Sequence, residues 1–149
     1  MNAHDDPAAV NYWNSSIVEV RQRATDQFGV FARATIPAGT LIGCYAGRIV
    51  ILEIDPGTER YVNTSLEHRQ VLQLRRFGNH MLGLVAIGGF RGVDYINHSC
   101  RANTKVYDRV IVLSSRNIEP DEELTLDYRE WDFIPEGIRC WCPEPKCVI

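Results

Sequence analysis

Five cysteines lie in this 149-residue chain, and four of them stand where a metal ion could use them. Cys100 closes the string Asn97-His98-Ser99-Cys100, and Cys140, Cys142 and Cys147 follow within one eight-residue stretch that also carries Trp141. Zn²⁺ takes four tetrahedral ligands, and four thiolates fill its shell and leave no position for a reactive water. The tail supplies three sulfurs. Cys100 is the best-placed fourth, so the site would tie the chain end to a polar loop in its interior. The rival is disulfide pairing among the same residues, which an oxidising compartment would favour. The remaining Cys44 sits in an apolar stretch and reads as a small buried hydrophobe. Two tyrosines join the set. Tyr128 ends the string Glu122-Glu123-Leu124-Thr125-Leu126-Asp127-Tyr128, and Tyr45 lies within Gly43-Cys44-Tyr45-Ala46-Gly47. A phenol keeps its proton until about pH 10, so these are groups that orient a partner rather than bases at neutral pH. Taken singly, each also reads as a sheet tyrosine packing a core.

The elements that must hold these residues are short strands. Ile17-Val18-Glu19-Val20-Arg21 alternates apolar and polar, as a half-buried strand does. Val30-Phe31-Ala32, Leu41–Tyr45, Arg48–Ile51, Val106-Tyr107, Val110–Leu113 and Leu124–Leu126 are further strands. They are separated by turns at Pro37-Ala38-Gly39, Asp55-Pro56-Gly57, Asp108-Arg109 and Glu119-Pro120-Asp121, where Pro presets φ and Gly or Asp accepts a left-handed backbone. Residues 58–89 support two readings. Thr64-Ser65-Leu66-Glu67 matches a helix capping box, whereas Val71–Leu74, Phe77-Gly78-Asn79 and Met81–Val85 read as a hairpin. Many short strands with little helix predict a mostly-β domain.

Composition narrows the function classes. An apolar content of 45% is ordinary for one globular domain, and no apolar run approaches a membrane span. A net charge of −3 argues against a nucleic-acid binder that works by phosphate neutralisation, and suits a cationic partner. The stretch Met1–Pro7 has neither a basic start nor an apolar run, so no secretory signal is visible. The expected setting is intracellular.

Asn97-His98-Ser99-Cys100, Glu122–Tyr128 and the Cys140–Cys147 tail resemble, in order and spacing, the SET-domain protein lysine methyltransferases. Asp26-Gln27-Phe28-Gly29-Val30-Phe31-Ala32 with Ile36-Pro37-Ala38-Gly39 resembles that family's opening motif, and Gly43–Gly47 the strand that follows it. One such motif would say little, but these together in register form a specific signature. The resemblance runs from about residue 17 to the last residue. It implies a SET fold of short curled sheets with a knot-like C-terminal crossing, over residues 15–133. Residues 1–14 would be a polar tail, 58–89 a variable insert where substrate choice resides and favoured as a hairpin, and 134–149 a small zinc-bound post-SET segment. The chain departs from the family at Gln27, where a Gly is usual, and at Cys44, Arg48, Asp94 and Leu126.

The implied reaction moves a methyl group from the sulfonium of S-adenosylmethionine to a lysine amine. The amine must be neutral, although free lysine holds its proton to a pKa of about 10.4. A desolvating aromatic channel disfavours the ammonium form, and the nitrogen must lie about 3 Å from the methyl carbon. By resemblance Tyr128 is the active-site tyrosine and Tyr45 lines the same pocket. Phe28, Gly29, Asn97, His98 and Trp141 contact the donor, and Cys100, Cys140, Cys142 and Cys147 hold a structural zinc. The partner implied is a lysine-containing peptide, with a histone or another basic protein as the expected substrate. The resemblance implies association with chromatin if the source is eukaryotic, and the cytoplasm or export to a host if it is bacterial. The competing readings are a catalytically silent SET-like peptide-binding or scaffold module, a zinc-stapled interaction domain, and a methyltransferase of a non-protein amine. The target lysine, the number of methyl groups and the oligomeric state are not written in the sequence.

Overall fold

The computed structural model describes residues 12–67 and 70–130. The expected zinc segment, with Trp141, Cys140, Cys142 and Cys147, and most of the N-terminal tail lie outside the described residues. Among the described residues the chain forms eleven short strands: β1 Val18–Ala24, β2 Gln27–Ala32, β3 Leu41–Cys44, β4 Arg48–Ile54, β5 Tyr61–Val62, β6 Val71–Phe77, β7 His80–Val85, β8 Asn97–His98, β9 Thr104–Tyr107, β10 Ile111–Ser114 and β11 Glu123–Leu126. Two 3₁₀ turns, Gly92–Tyr95 and Tyr128–Glu130, flank the chemically interesting strings. No described helix is long and apolar enough to cross a membrane.

The strands make three small sheets, ordered β1-β2-β11-β8, β3-β10-β9 and β5-β4-β7-β6. The mostly-β expectation therefore holds, and each predicted strand falls on an observed one. The first sheet positions the site. β2 hairpins back on β1 and takes β11 antiparallel on its other side, with Glu123 opposite Phe31 and Leu124 opposite Val30. β8 then adds to β11 in parallel, Asn97 opposite Thr125 and Leu126 opposite His98. Two segments far apart in sequence are thus drawn side by side.

One apolar core joins the sheets. Val30, Ile36, Ile42, Val112, Ile118 and Leu124 are completely buried, and Leu72, Leu74 and Leu84 bring the third sheet into the same cluster. Ile36 and Ile118 lock two loops together by reciprocal backbone bonds of 2.8 and 2.9 Å. The far end of the third sheet has its own small cluster, Ile54 and Met81 under Tyr61.

Residues 58–89 resolve in favour of the hairpin. Thr64 Oγ1 accepts the Leu66 N–H at 3.1 Å, a local turn bond rather than the start of an α-helix. β6 and β7 pair directly, with Phe77 opposite His80 across Gly78-Asn79. Gly78 has φ +56°, the left-handed backbone a two-residue hairpin loop demands. Cys44 departs from expectation: at the end of β3 it is half-buried, and its Sγ accepts the Tyr12 N–H at 3.3 Å.

Candidate active site

The 3₁₀ turn at Gly92–Tyr95 leads straight into β8, and together they set out the site. Val93 is buried and anchors the turn. Asp94 Oδ2 accepts the Arg91 N–H at 2.9 Å and closes it. The chain leaves the turn at Ile96, whose side chain is buried in the core and whose carbonyl accepts the Tyr128 hydroxyl at 2.6 Å. That bond spends the phenol's proton on the backbone. A phenol oxygen that donates its proton is still a hydrogen-bond acceptor.

His98 holds Tyr128 from the other end. Its Nδ1 accepts the Tyr128 backbone N–H at 3.0 Å, and the two rings lie 5.2 Å apart. Nδ1 being an acceptor, a neutral ring carries its proton on Nε2, which faces Cys100 Sγ at 3.3 Å. Burial holds the His98 ring below its ordinary value, so the neutral form is favoured. A further bond, Ser99 N–H to Leu126 O at 3.0 Å, fastens the loop after β8 to β11. Asp127 and Arg129 flank Tyr128 and bond each other at 2.6 and 2.8 Å, while Arg129 also reaches Cys100 O at 3.4 Å.

Tyr45 follows β3 and is buried, its N–H donated to Val110 O at 2.8 Å. Burial pushes its phenol well up, and the neighbouring Tyr128 and Asp94 add to the effect. It is therefore neutral across the physiological range. Burial likewise raises the Asp94 carboxyl, against the pull of the Arg91 N–H.

Asn97 connects β8 to β2. Its Nδ2 donates to Phe28 O at 2.8 Å and to Glu123 Oε1 at 2.9 Å. The Phe28 ring is exposed and packs 5.8 Å from Tyr95, which in turn meets Phe90 edge-on at 5.9 Å. The fold thus gathers two groups of expected site residues: Tyr45 with Tyr128, and Phe28 and Gly29 with Asn97, next to His98 and Cys100. Asn97 and His98 are extended and paired to β11, not folded into a turn.

Three contributors escaped the sequence reading. Asn103 is fully buried and docks on β11 like a strand partner, accepting the Thr125 N–H and donating to Glu123 O, both at 2.8 Å. Glu123 orients Asn97, and Asp94 closes the turn. No periodicity marks any of them. Glu123 closes the acidic run Asp121-Glu122-Glu123, so its neighbours do not single it out.

The SET-domain family model matches residues 27–129 of this chain, from the first residue of β2 to the middle of the last 3₁₀ turn. The chain belongs to the SET-domain family. Among curated relatives, histone-lysine N-methyltransferase TRX1 of Oryza sativa subsp. japonica is 34% identical over 131 residues, covering 80% of this chain and 12% of that protein. A histone-lysine N-methyltransferase, H3 lysine-36 specific, of Cryptococcus neoformans is 26% identical over 145 residues, or 92% of this chain and 16% of that protein. An H3 lysine-4 specific relative of Emericella nidulans is 30% identical over 141 residues, or 87% of this chain and 11% of that protein. The SET domain described here thus spans a small fraction of each. Among solved structures, KRYPTONITE in complex with mCHH DNA, H3(1-15) peptide and SAH superposes with a TM-score of 0.60 at 22% identity, over 87% of this chain and 28% of that one. That likeness is one of fold, and the small sheets of this SET domain match it.

Proposed function

We propose that the chain is an S-adenosylmethionine-dependent protein-lysine N-methyltransferase whose substrate is a histone tail or another basic protein. The observation that carries this reading is the Tyr128 hydroxyl, pinned to Ile96 O at 2.6 Å beside the buried Tyr45 in a SET domain. The names of the relatives and the peptide bound to KRYPTONITE support a histone substrate. Those names differ over the lysine, and no particular lysine is proposed for this chain.

The described residues fit the donor. Both hydrogens of the Asn97 amide go to acceptors, Phe28 O and Glu123 Oε1. Its Oδ1 takes no hydrogen bond among the described residues, and it suits the cationic amino group of an amino-acid moiety. The exposed Phe28 ring offers a flat apolar surface nearby. Phe28, Gly29, Asn97 and His98 would hold the donor, with Trp141 closing over it. When bound, S-adenosylmethionine supplies a methyl group already activated on a sulfonium. The chain's own part is to desolvate and aim the lysine. The buried Tyr45 and the half-buried Tyr128 would line a setting that disfavours the ammonium form, and the Tyr128 oxygen would accept a hydrogen of the amine. With its proton held by Ile96 O, Tyr128 orients the nucleophile and does not act as a base.

Cys100, Cys140, Cys142 and Cys147 would hold one structural zinc. The fit on the described side is Cys100 Sγ facing the His98 Nε2–H at 3.3 Å, an outer-shell donor of the kind that steadies a thiolate ligand. That zinc would join the tail to the loop that carries the donor contacts.

The test is mass spectrometry of core histones and basic peptides incubated with the protein and S-adenosylmethionine, with Tyr128→Phe run in parallel. Lysine-borne methyl groups that vanish with the variant are expected. A folded, donor-binding Tyr128→Phe protein that transfers at the wild-type rate would overturn the assignment of Tyr128.

A further inference from the structure

We propose that Glu123, braced by Arg23, is the positioning residue of the donor site: it fixes the Asn97 amide so that Oδ1 is turned toward the donor, and Gly29 is glycine because the Glu123 carboxylate must pass there. The inference rests on the methyltransferase reading and goes beyond it by naming what sets the donor contact.

An amide side chain offers an oxygen and an NH₂ that swap places on a half-turn. Here that choice is made by the neighbours. Phe28 O and Glu123 Oε1 are both pure acceptors, at 2.8 and 2.9 Å, so only the NH₂ can face them. Phe28 O belongs to the β2 backbone and is always present. Glu123 is the removable half of the device.

The sheet explains how Glu123 arrives. It sits opposite Phe31, and Gly29 lies two residues along β2 on the same face, within diagonal reach. The carboxylate crosses the strand at that gap. A Cβ built on Gly29 would collide with Glu123 Oε1 and lie 3.1 Å from Arg23 Cδ. Arg23 is the extra residue of the irregularity between Gln22 and Ala24 in β1. Such bulges re-aim side chains, and this one sends Nε to Glu123 Oε2 at 3.3 Å. Both partners are largely sheltered, with side chains 31% and 20% exposed. One carboxylate thus serves two strands, one oxygen on Arg23 and the other on Asn97.

The obstacle at Gly29 is the far end of a flexible side chain. Gly29→Ala can push the carboxylate aside at small cost to the fold, yet doing so takes the acceptor from Asn97. Gly29→Ala and Glu123→Ala therefore act through one step, and two such changes do not add.

The experiment measures S-adenosylmethionine and S-adenosylhomocysteine affinity by calorimetry for wild type, Glu123→Ala, Gly29→Ala and the double variant. The Asn97 side-chain amide resonances of the donor-free proteins are recorded alongside. A net hydrogen bond of ordinary strength corresponds to a loss of about tenfold in affinity. Each single variant is expected to lose that much and to shift the Asn97 signals, and the double variant to lose no more than either. Losses that multiply to about a hundredfold would show that Gly29 and Glu123 act on the donor independently and overturn the coupling. Wild-type affinity in Glu123→Ala overturns the positioning role. Should wild type itself bind no donor, the methyltransferase reading fails, and so does the donor role of Glu123. The Asn97 signals then decide separately whether Glu123 fixes the amide, and unshifted signals in Glu123→Ala show that it does not.

Discussion

Tyr128 is held at both of its ends: the hydroxyl by Ile96 O at 2.6 Å and the backbone N–H by His98 Nδ1 at 3.0 Å. Phenylalanine keeps the ring and the backbone bond but loses the oxygen. Tyr128→Phe is therefore expected to bind donor within about twofold of wild type, while transfer falls by about a hundredfold or more, the scale seen when one aimed polar group is taken from a transition state. Single-turnover rates beside donor titrations would separate the two effects. Unchanged transfer would return Tyr128 to the role of a core tyrosine. Asp127, the residue before it, carries a pH prediction. The hydrogen bond from Arg129 holds its carboxyl below the ordinary 3.8, with further help from the Arg129 N–H and charge and from His98, against a smaller opposing effect of burial. A carboxyl depressed in the folded state adds stability that is complete above the unfolded value and is lost as pH falls through the folded one. The contribution should therefore be whole at pH 5 and above and fade below 3.8. Asp127→Asn should melt a few degrees lower than wild type near neutrality, with the gap closing in the acid range. A gap of constant size from pH 7 to pH 3 would show that the ion pair is not its source.

The strands show which parts of the fold local sequence can specify. β1 follows from alternation, β4 and β10 from short runs rich in Val and Ile, and the β6–β7 hairpin from Gly78-Asn79 between two apolar runs. β8 could not be found this way. Two residues carry no period, and Asn97-His98 becomes a strand only because β11 lies alongside to accept it. The same reason hid Glu123 and Asn103, whose value depends on partners about twenty or more residues away, whereas Tyr45, Asn97 and Tyr128 stood out through the strings around them. The glycines sort by what blocks them. A Cβ on Gly47 would collide with Val85 O, a backbone atom fixed by the pairing of Arg48 with Val85. Backbone cannot swing away as the Glu123 carboxylate can at Gly29. Gly47→Ala should cost about 2 kcal/mol, in the range of overpacked interiors, and lower the Tm by about 4–8 °C, while Gly29→Ala should move it little. Thermal melts of the two variants side by side make the comparison, and equal shifts would contradict it. A loss at Gly47 would also explain the last residue of the Tyr45-Ala46-Gly47 string without any contact to substrate.

At the scale of the molecule, Cys100 is where the sheets and the proposed zinc segment would meet. The sheets rest on a core of Ile36, Ile42, Ile96, Val112, Ile118 and Leu124, all drawn from the described residues. The cysteines expected to complete the zinc cage come from the far end of the chain. Among the described residues Cys100 meets His98 Nε2 at its Sγ, at 3.3 Å, and Arg129 at its carbonyl oxygen, at 3.4 Å. A core that owns its apolar contacts should outlast loss of the metal, whereas a tail folded by zinc should not, because the binding free energy of a structural zinc is folding free energy for the segment it orders. Protein purified without chelator is expected to carry about one zinc per chain. Stripping it should leave the β-sheet circular dichroism in place and weaken donor binding, since Trp141 and the loop at Cys100 lose their common anchor. Readdition of Zn²⁺ under reducing conditions should restore the affinity. Metal content well below one per chain would end the zinc assignment and leave disulfide pairing as the use of these thiols. Collapse of the sheet signal on chelation would mean that the tail carries part of the core's stability, and the division between sheet and tail drawn here would not hold.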